Sequence, residues 1–598
     1  MFAPGARSPA ELLQKSAENY IRPFLVAFIP LALFVLGIGV IRSVVPCVDQ
    51  SCGYRPQRQY YWFITAGPLS VFLAGWSTWP QVSSWYARAA RVSRASRIAI
   101  VMAAITFLAL FVIHFGNRQF GGYDFSVLID TAWRLASGQR PYVDFVCTPP
   151  PGFYLGAKYA FRLFGANWDA QLWMTALFSA VTFVWLFSIC IRLLNSYAIA
   201  LVVAFMVESG AILVTDFWWY NNVTAVTAAI FLLSCILYSR QPGRRFAQVS
   251  YVGSLPALAL MKPNVSGLLI CGAVVLLFIA DQSKLRFLFL TALGLLTTLA
   301  VLAANSVDVR DLLGAYRDAA AGRGLPGVVI KRLGGTRLAR LIPYIGALCV
   351  PLFPAAVRVK KAMACRNWRS AAQTSLFFLA AFVCMYAMVT NGEFKEVDWV
   401  TWLAADTVLI IECTWRPRLP LPRFWFAFLL SLVFINLYFG AIRYRVYTIG
   451  AYFDWAHQTR IRVPFFKDLI ASETFADVLQ QIGEAVENER EGVFFGPRME
   501  FAYAAFGLPS PKHLPPWWDP GTSFAWRKEG TLVHIWVAQR FRTLIFLKDD
   551  FTDYSPLFQK VINERYMRDD HFSELTIMRA KPLIAAGQTV TPQWKYSR

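Results

Sequence analysis

Three aspartates, Asp124, Asp130 and Asp144, stand in a polar segment at residues 120–165 that separates two long apolar runs. A carboxylate held beside low-dielectric surroundings has its pKa pushed toward neutrality, which suits it to act as a general base. A Pro- and Gly-punctuated loop of this length in a compact protein is usually functional. Asp124 is the best base, because it follows a membrane-length apolar run. Its bland role is a helix N-cap, since Phe125, Val127, Leu128, Thr131, Ala132 and Leu135 recur at helical spacing after it. Asp130 falls on that helical stretch and reads as a solvated-face charge. A further acid, Asp216, occurs in the motif TDFWWYNN, where Trp218, Trp219 and Tyr220 suit either sugar stacking or a membrane-interface belt. Lys262 interrupts the apolar stretch ALALMKPNVSGLLI. An intramembrane lysine is costly and marks a functional site by default, the alternative being snorkelling to the interface.

The elements that must position these groups are membrane spans. The chain has 598 residues, 57% hydrophobic and only 16% charged, with mean hydropathy +0.44. Apolar runs near the ~20 residues a bilayer requires recur about thirteen times. They fall around 21–44, 59–79, 98–116, 169–193, 196–214, 222–239, 247–261, 264–280, 286–304, 341–357, 371–390, 399–414 and 423–441. The seventh and eighth are short, and either could be a half-span. Basic residues cluster in alternate loops: Arg88, Arg91, Arg94 and Arg97; Arg240, Arg244 and Arg245; Arg358, Lys360, Lys361, Arg366 and Arg369; Arg416, Arg418 and Arg423. The positive-inside tendency makes those loops and the N-terminus cytoplasmic. The segment around 117–168 and everything after about 442 then face the opposite side. No cleavable signal peptide is read at the start. The net charge of +22 is spread over short loops rather than one stripe, which fits lipid headgroups and does not point to nucleic acid.

Cys47 and Cys52 share a short external loop and could form a disulfide as readily as remain two thiols. No CxxC or HExxH pattern occurs and only 5 His are present, so nothing points to zinc. The region 305–340 is basic for an external loop, with Arg310, Arg317, Arg323, Lys331, Arg332 and Arg337. Such a segment suits a lipid phosphate or an anionic glycolipid, and equally plain headgroup binding. After about 442 the character changes to a small α/β domain. A helix is predicted over 473–486, opened by a Thr474/Asp477 capping pattern, with strands at 492–496, 543–547 and 575–578 and helices at 498–506 and 555–566. The Pro/Trp-rich stretch 508–528 reads as a packed, lid-like connection.

Taken in order, Tyr123-Asp124, then GQRPYVDF from Gly138 to Phe145, then PPPGFY from Pro149 to Tyr154, then Leu163-Phe164-Gly165 resemble the GT-C superfamily of membrane glycosyltransferases. The likeness is to its protein-mannosyltransferase and aminoarabinose-transferase branch, glycosyltransferase family 39 and relatives. It covers about 120–265 and extends to the rest in layout only. Two departures stand out. Asp124 is followed by Phe125 where many members have Glu, and two spans precede the one that normally comes first.

The resemblance implies an inverting transfer of a sugar from a polyprenyl-phosphate donor to a glycan, lipid or protein acceptor. Asp124 would be the catalytic base and Asp216 its partner, with a divalent cation, Mg or Mn, as a possible cofactor. Lys262, with Arg310 and Arg317, would meet the donor phosphate. Asp144, with Tyr142 and Tyr220, would shape the turn or touch substrate. The fold expected is a mainly α polytopic bundle of about thirteen spans, GT-C-like, carrying a small C-terminal α/β extracytoplasmic domain. Its division would be 1–97 (an added hairpin and cytoplasmic loop), 98–441 (the catalytic membrane domain) and 442–598. A transporter of lipid-linked sugars, or a non-catalytic glycolipid binder, are the rival readings.

Overall fold

In the computed structural model, residues 94–323, 352–391 and 458–582 are described, apart from 118–119, 121–124, 148, 196, 212–217, 488, 490, 521–522 and 549–553. The expected spans at 21–44, 59–79, 399–414 and 423–441, and Cys47 with Cys52, lie outside these residues.

The described part is mainly helical. The bundle comprises α1 (Arg94–Gly116), α4 (Trp168–Leu194), α5 (Tyr197–Ala211), α6 (Tyr220–Arg240), α7 (Arg245–Ala259), α8 (Pro263–Ala280), α9 (Lys284–Ala304), α11 (Leu352–Ala364) and α12 (Trp368–Asn391). Between these, α2 (Ser126–Ala136) and α3 (Pro151–Phe164) fill the loop after α1, and α10 (Val309–Arg323) follows α9. Five helices, α4, α6, α8, α9 and α12, are long and apolar enough to cross a membrane. The chain is a polytopic integral membrane protein.

Burial separates the helices by position. The spanning window of α6 is buried throughout, packed by α4, α5, α7, α8 and α12, so it is the central post of the bundle. In contrast, α9 buries a single stripe, Phe287, Leu290, Thr291, Gly294, Thr298 and Leu302. Leu285, Leu288, Phe289, Leu293 and Leu296 of the same helix are exposed, as a lipid-facing surface requires. Helix α7 has 15 residues, about 22 Å of rise, which is short of a full bilayer core. One departure from the sequence reading is α11. Arg358, Lys360 and Lys361, expected in a loop, lie on this helix. Long-stemmed basic residues are good helix formers, and a charge run alone does not end a helix.

The C-terminal part forms a four-stranded sheet in the order β3 (Val493–Phe495), β4 (Thr543–Leu547), β6 (Leu575–Ala580), β5 (Tyr566–Asp569). β3 and β4 are parallel, with Val493 opposite Thr543, and β4–β6–β5 are antiparallel. A two-stranded ribbon, β1 (Gln458–Arg460) with β2 (Ile470–Ser472), precedes it. Helices α13 (Glu473–Val486), α14 (Phe501–Ala505), α15 (Glu529–Ala538) and α16 (Pro556–Arg565) cover it. The three predicted strands are present, as are helices α13, α14 and α16. Helix α13 is capped by Ser472, whose hydroxyl accepts from Phe475 N at 3.3 Å, not by Thr474 as the sequence suggested. Helix α15 and strand β5 were not read from the sequence. The stretch 508–528 is packed: Leu508, Leu514, Trp518 and Phe524 are buried, and Trp518 stacks on Phe558 at 4.5 Å.

Candidate functional site

One end of the bundle is covered by α2, α3 and the C-terminal domain. Phe120, Phe125, Trp168, Trp218 and Trp219 share a single apolar core with Phe465, Phe475 and Phe501 of that domain. Ile470 N bonds to Asn117 O at 2.8 Å, which ties the domain to the end of α1. The opposite end gathers Arg97 against Tyr197, Arg192 over Phe246 and Arg286 beside Asp281. The acidic segment and these three arginines are thus at opposite ends.

Helix α2 begins directly after the Asp124 position. Its apolar residues repeat at helical spacing, and nearly every side is buried. Asp130 and Arg134, one turn apart, pair at 2.7 Å with side-chain exposures of 0% and 1%. This corrects the reading of Asp130 as a solvated charge. A partner distant in sequence closes over it: Ser510 donates to Asp130 Oδ1 at 2.6 Å, and Arg134 donates to the Pro511 carbonyl. Trp133 Nε1 donates to Leu508 O at 2.9 Å, and Phe501 N donates to Ser126 Oγ at 2.6 Å. Burial raises the Asp130 carboxyl pKa, opposed by Arg134 and Ser510. Glu500, buried beside Ser126, is held well above the carboxylate range by the same loss of hydration.

The turn after α2 is built on its backbone. Gly138 has φ +89° and Tyr142 has φ +67°, a left-handed value that costs a non-glycine residue energy. Asp144 holds this turn. Its Oδ2 accepts from Arg140 N at 2.7 Å, its N–H reaches Arg140 O at 2.9 Å, and its carbonyl accepts from His513 N at 2.5 Å. The Arg140 amide keeps its pKa below the usual carboxylate value. The hydroxyls of Tyr142, Tyr154 and Tyr316 are buried, as is the Cys147 thiol, and burial pushes all four groups' pKa values up.

Helix α3 starts on Pro151, at a position where the missing N–H costs nothing. It docks through glycine. Gly152 N bonds to Leu260 O at 2.7 Å, and a Cβ on Gly156 would lie 2.5 Å from the Trp218 ring. Trp218 Nε1 in turn donates to Phe153 O at 2.8 Å. Trp219 lies 5.6 Å from Phe153 and 6.0 Å from Phe125, centroid to centroid.

Lys262 sits where α7 stops and α8 begins, half-buried. Its Nζ donates to Asn221 Oδ1 at 3.1 Å and lies 5.3 Å from the centre of the Tyr220 ring. Lys262 and Tyr220, both selected from sequence, are therefore together. Tyr142 and Asp144 are together in the turn. Arg310 and Arg317 are exposed on α10, and no contact among the described residues joins them to Lys262. That helix is instead linked to the C-terminal domain through Asp318, which pairs with Arg527 at 3.2 Å and with Lys528. Asp124 and Asp216 lie outside the described residues. Among the described residues no three His, Cys, Asp or Glu side chains gather as metal ligands. Asp216, the acid read as a partner to the base, is not among them.

Among the buried charges that sequence reasoning passed over, three stand out. Glu208 in α5 is fully buried, and its Oε2 accepts from Ser179 Oγ at 3.0 Å. Glu500 and Lys158 are the others. For Glu208 the available signal was one carboxylate inside a span. For Lys158 and Glu500, amphipathic helices at ordinary spacing gave none.

No protein-family model and no curated protein matches the chain. Among solved structures, the chain is similar to ArnT from Cupriavidus metallidurans bound to undecaprenyl phosphate. That match has 13% identity and a TM-score of 0.45, covering 83% of this chain and 100% of that one. The apo form gives 14% identity, a TM-score of 0.43 and the same coverage. An oligosaccharyltransferase from Archaeoglobus fulgidus, tethered to an acceptor peptide, gives 11% identity and a TM-score of 0.39, over 80% of this chain and 74% of that one. TM-scores below 0.5 at this identity leave the weight of any functional reading on the chain's own residues.

Proposed function

We propose that this protein is an inverting glycosyltransferase. It would move a sugar from a polyprenyl-phosphate donor to a glycan, glycolipid or protein acceptor at the external face of a bacterial inner membrane. Its N-terminus would then be cytoplasmic and its C-terminal domain extracytoplasmic.

One observation carries this reading: the described neighbours of the sequence-selected groups meet at one end of the bundle. Phe125 follows Asp124 in sequence and contacts Trp219 at 6.0 Å. Trp219 contacts Tyr220 at 4.7 Å, and Tyr220 lies against Lys262. In the reaction, Asp124 takes the acceptor hydroxyl proton as the oxygen attacks the anomeric carbon. The bond from that carbon to the phosphate oxygen breaks on the opposite face, and configuration inverts. Charge develops on the departing lipid phosphate, where a preplaced ammonium stabilises it. Lys262 is the candidate for that task, and Asp216 is the candidate second acid at the acceptor side. The apolar bundle surface receives the prenyl tail.

The test is transfer of labelled sugar from polyprenyl-phosphate donor by the reconstituted chain. Asp124→Asn should insert and unfold like wild type but lose transfer. Turnover by that variant at the wild-type rate would sink the assignment. Movement of labelled lipid across proteoliposomes, with no transfer, would establish the transporter reading instead.

A further inference from the structure

The Lys158 ammonium is buried without a counter-charge among the described residues. It lies on α3 with 9% of its surface exposed. Its Nζ donates to Asn305 Oδ1 at 3.0 Å, and the Tyr159 hydroxyl donates to the same oxygen at 2.9 Å. No carboxylate pairs with it among the described residues, and another cation, Arg162, follows one helical turn on. Burial first, then Arg162, lowers its pKa. Buried charges are normally paired, and like charges four residues apart on a helix repel. An ammonium has three donors, and Asn305 takes one of them.

The surroundings say what would take the others. Asn305 caps α9, a membrane-spanning helix, so the cation stands level with one edge of the bilayer. Tyr159, Leu163 and Phe164, on the same short helix, are 40%, 68% and 40% exposed. Two cations beside exposed apolar and aromatic side chains at a bilayer edge match a phosphate that arrives attached to acyl chains. We propose that Lys158, Arg162 and Asn305 bind the phosphate of an anionic membrane lipid, at a site separate from Lys262. Gly152, where α3 meets the segment before Lys262, is six residues from Lys158, roughly 9 Å along the helix. The site does not depend on the glycosyltransferase reading, and its test uses no activity.

The full chain, purified in neutral detergent, is titrated with phosphatidylglycerol or phosphatidylcholine. Bound lipid is counted by native mass spectrometry, and thermal unfolding is followed in parallel. Wild type should retain one phosphatidylglycerol that phosphatidylcholine does not replace, and should unfold several degrees higher with it. Lys158→Met keeps the stem length and removes the charge; it should fold at least as well alone but lose both effects. Lys158→Arg should keep them. Asn305→Asp supplies a carboxylate for Lys158, and should gain stability while weakening phosphatidylglycerol binding at least tenfold. Unchanged binding by either Lys158→Met or Asn305→Asp would overturn the proposal. So would the full effect being produced by inorganic phosphate at the lipid's concentration.

Discussion

At the scale of single residues, the buried charges decide stability, and Asp130 shows why spacing misjudged them. An acid and an arginine four residues apart look like a surface pair, worth a few tenths of a kcal/mol. Here both are enclosed by Ser510 and Pro511, which only the folded chain brings near. Removing one partner strands a buried charge. Arg134→Ala should therefore lower unfolding stability by about 3–5 kcal/mol, measured by denaturant or heat in detergent. Glu500 gives a prediction with a pH sign. Burial holds it well above the carboxylate range in the native state, whereas in the unfolded chain it ionises near ~4.3. Its contribution is complete below the unfolded value and is lost as pH rises toward the native one. Glu500→Gln removes that loss. The variant's melting temperature should match wild type near pH 4 and exceed it by a growing margin up to pH 8.

At the scale of elements, α3 shows how much depends on one missing side chain. The sequence predicts an amphipathic helix after the proline turn, and the helix is present. What sequence does not state is that Gly156 is the contact point for Trp218. A Cβ there would sit 2.5 Å from the indole, a distance that forces the helix or the ring to move. Gly156→Ala should cost about 1–3 kcal/mol by overpacking. If the proposed reaction is correct, it should also reduce transfer, because α3 and Trp218 together brace the segment following Asp216. Gly243→Ala is the control: its Cβ meets nothing within 4 Å, and it should leave both properties unchanged. The start of α13 was placed correctly from sequence, but its cap was misassigned, because Ser472 and Thr474 both offer a capping hydroxyl. Backbone geometry selects Ser472, the residue with extended φ and ψ of −60° and 149°.

At the scale of the whole molecule, charge asymmetry and packing describe the same axis. Among the described residues, the loops bearing Arg240, Arg244 and Arg245 and Arg366 and Arg369 lie at the end opposite the domain-bearing loops, and the positive-inside tendency would make that end cytoplasmic. An impermeant maleimide should label Ser573→Cys, placed on the C-terminal domain, in intact spheroplasts. Native Cys365, exposed at the arginine-rich end, should react only after lysis; the reverse pattern would invert the proposed orientation. The expected boundary near 442 separates two compositions but not two cores, since the segment after α1 and the C-terminal domain share one buried cluster. Hydropathy marks each span by itself, because the bilayer imposes a length and an apolar composition on every crossing. Strands such as Thr543–Leu547 were equally legible, because a short β-branched and aromatic run states its own preference. The ordered loop motif pointed to Asp124, Asp144 and Tyr142 as candidates, and Lys262 stood out as a charge inside an apolar stretch. Which charges are enclosed was decided only by tertiary structure. Ser510 closes over Asp130 from 380 positions away, and Lys158 meets Asn305 across 147. Burial is a property of what packs against a residue, and a local pattern carries no record of partners that distant.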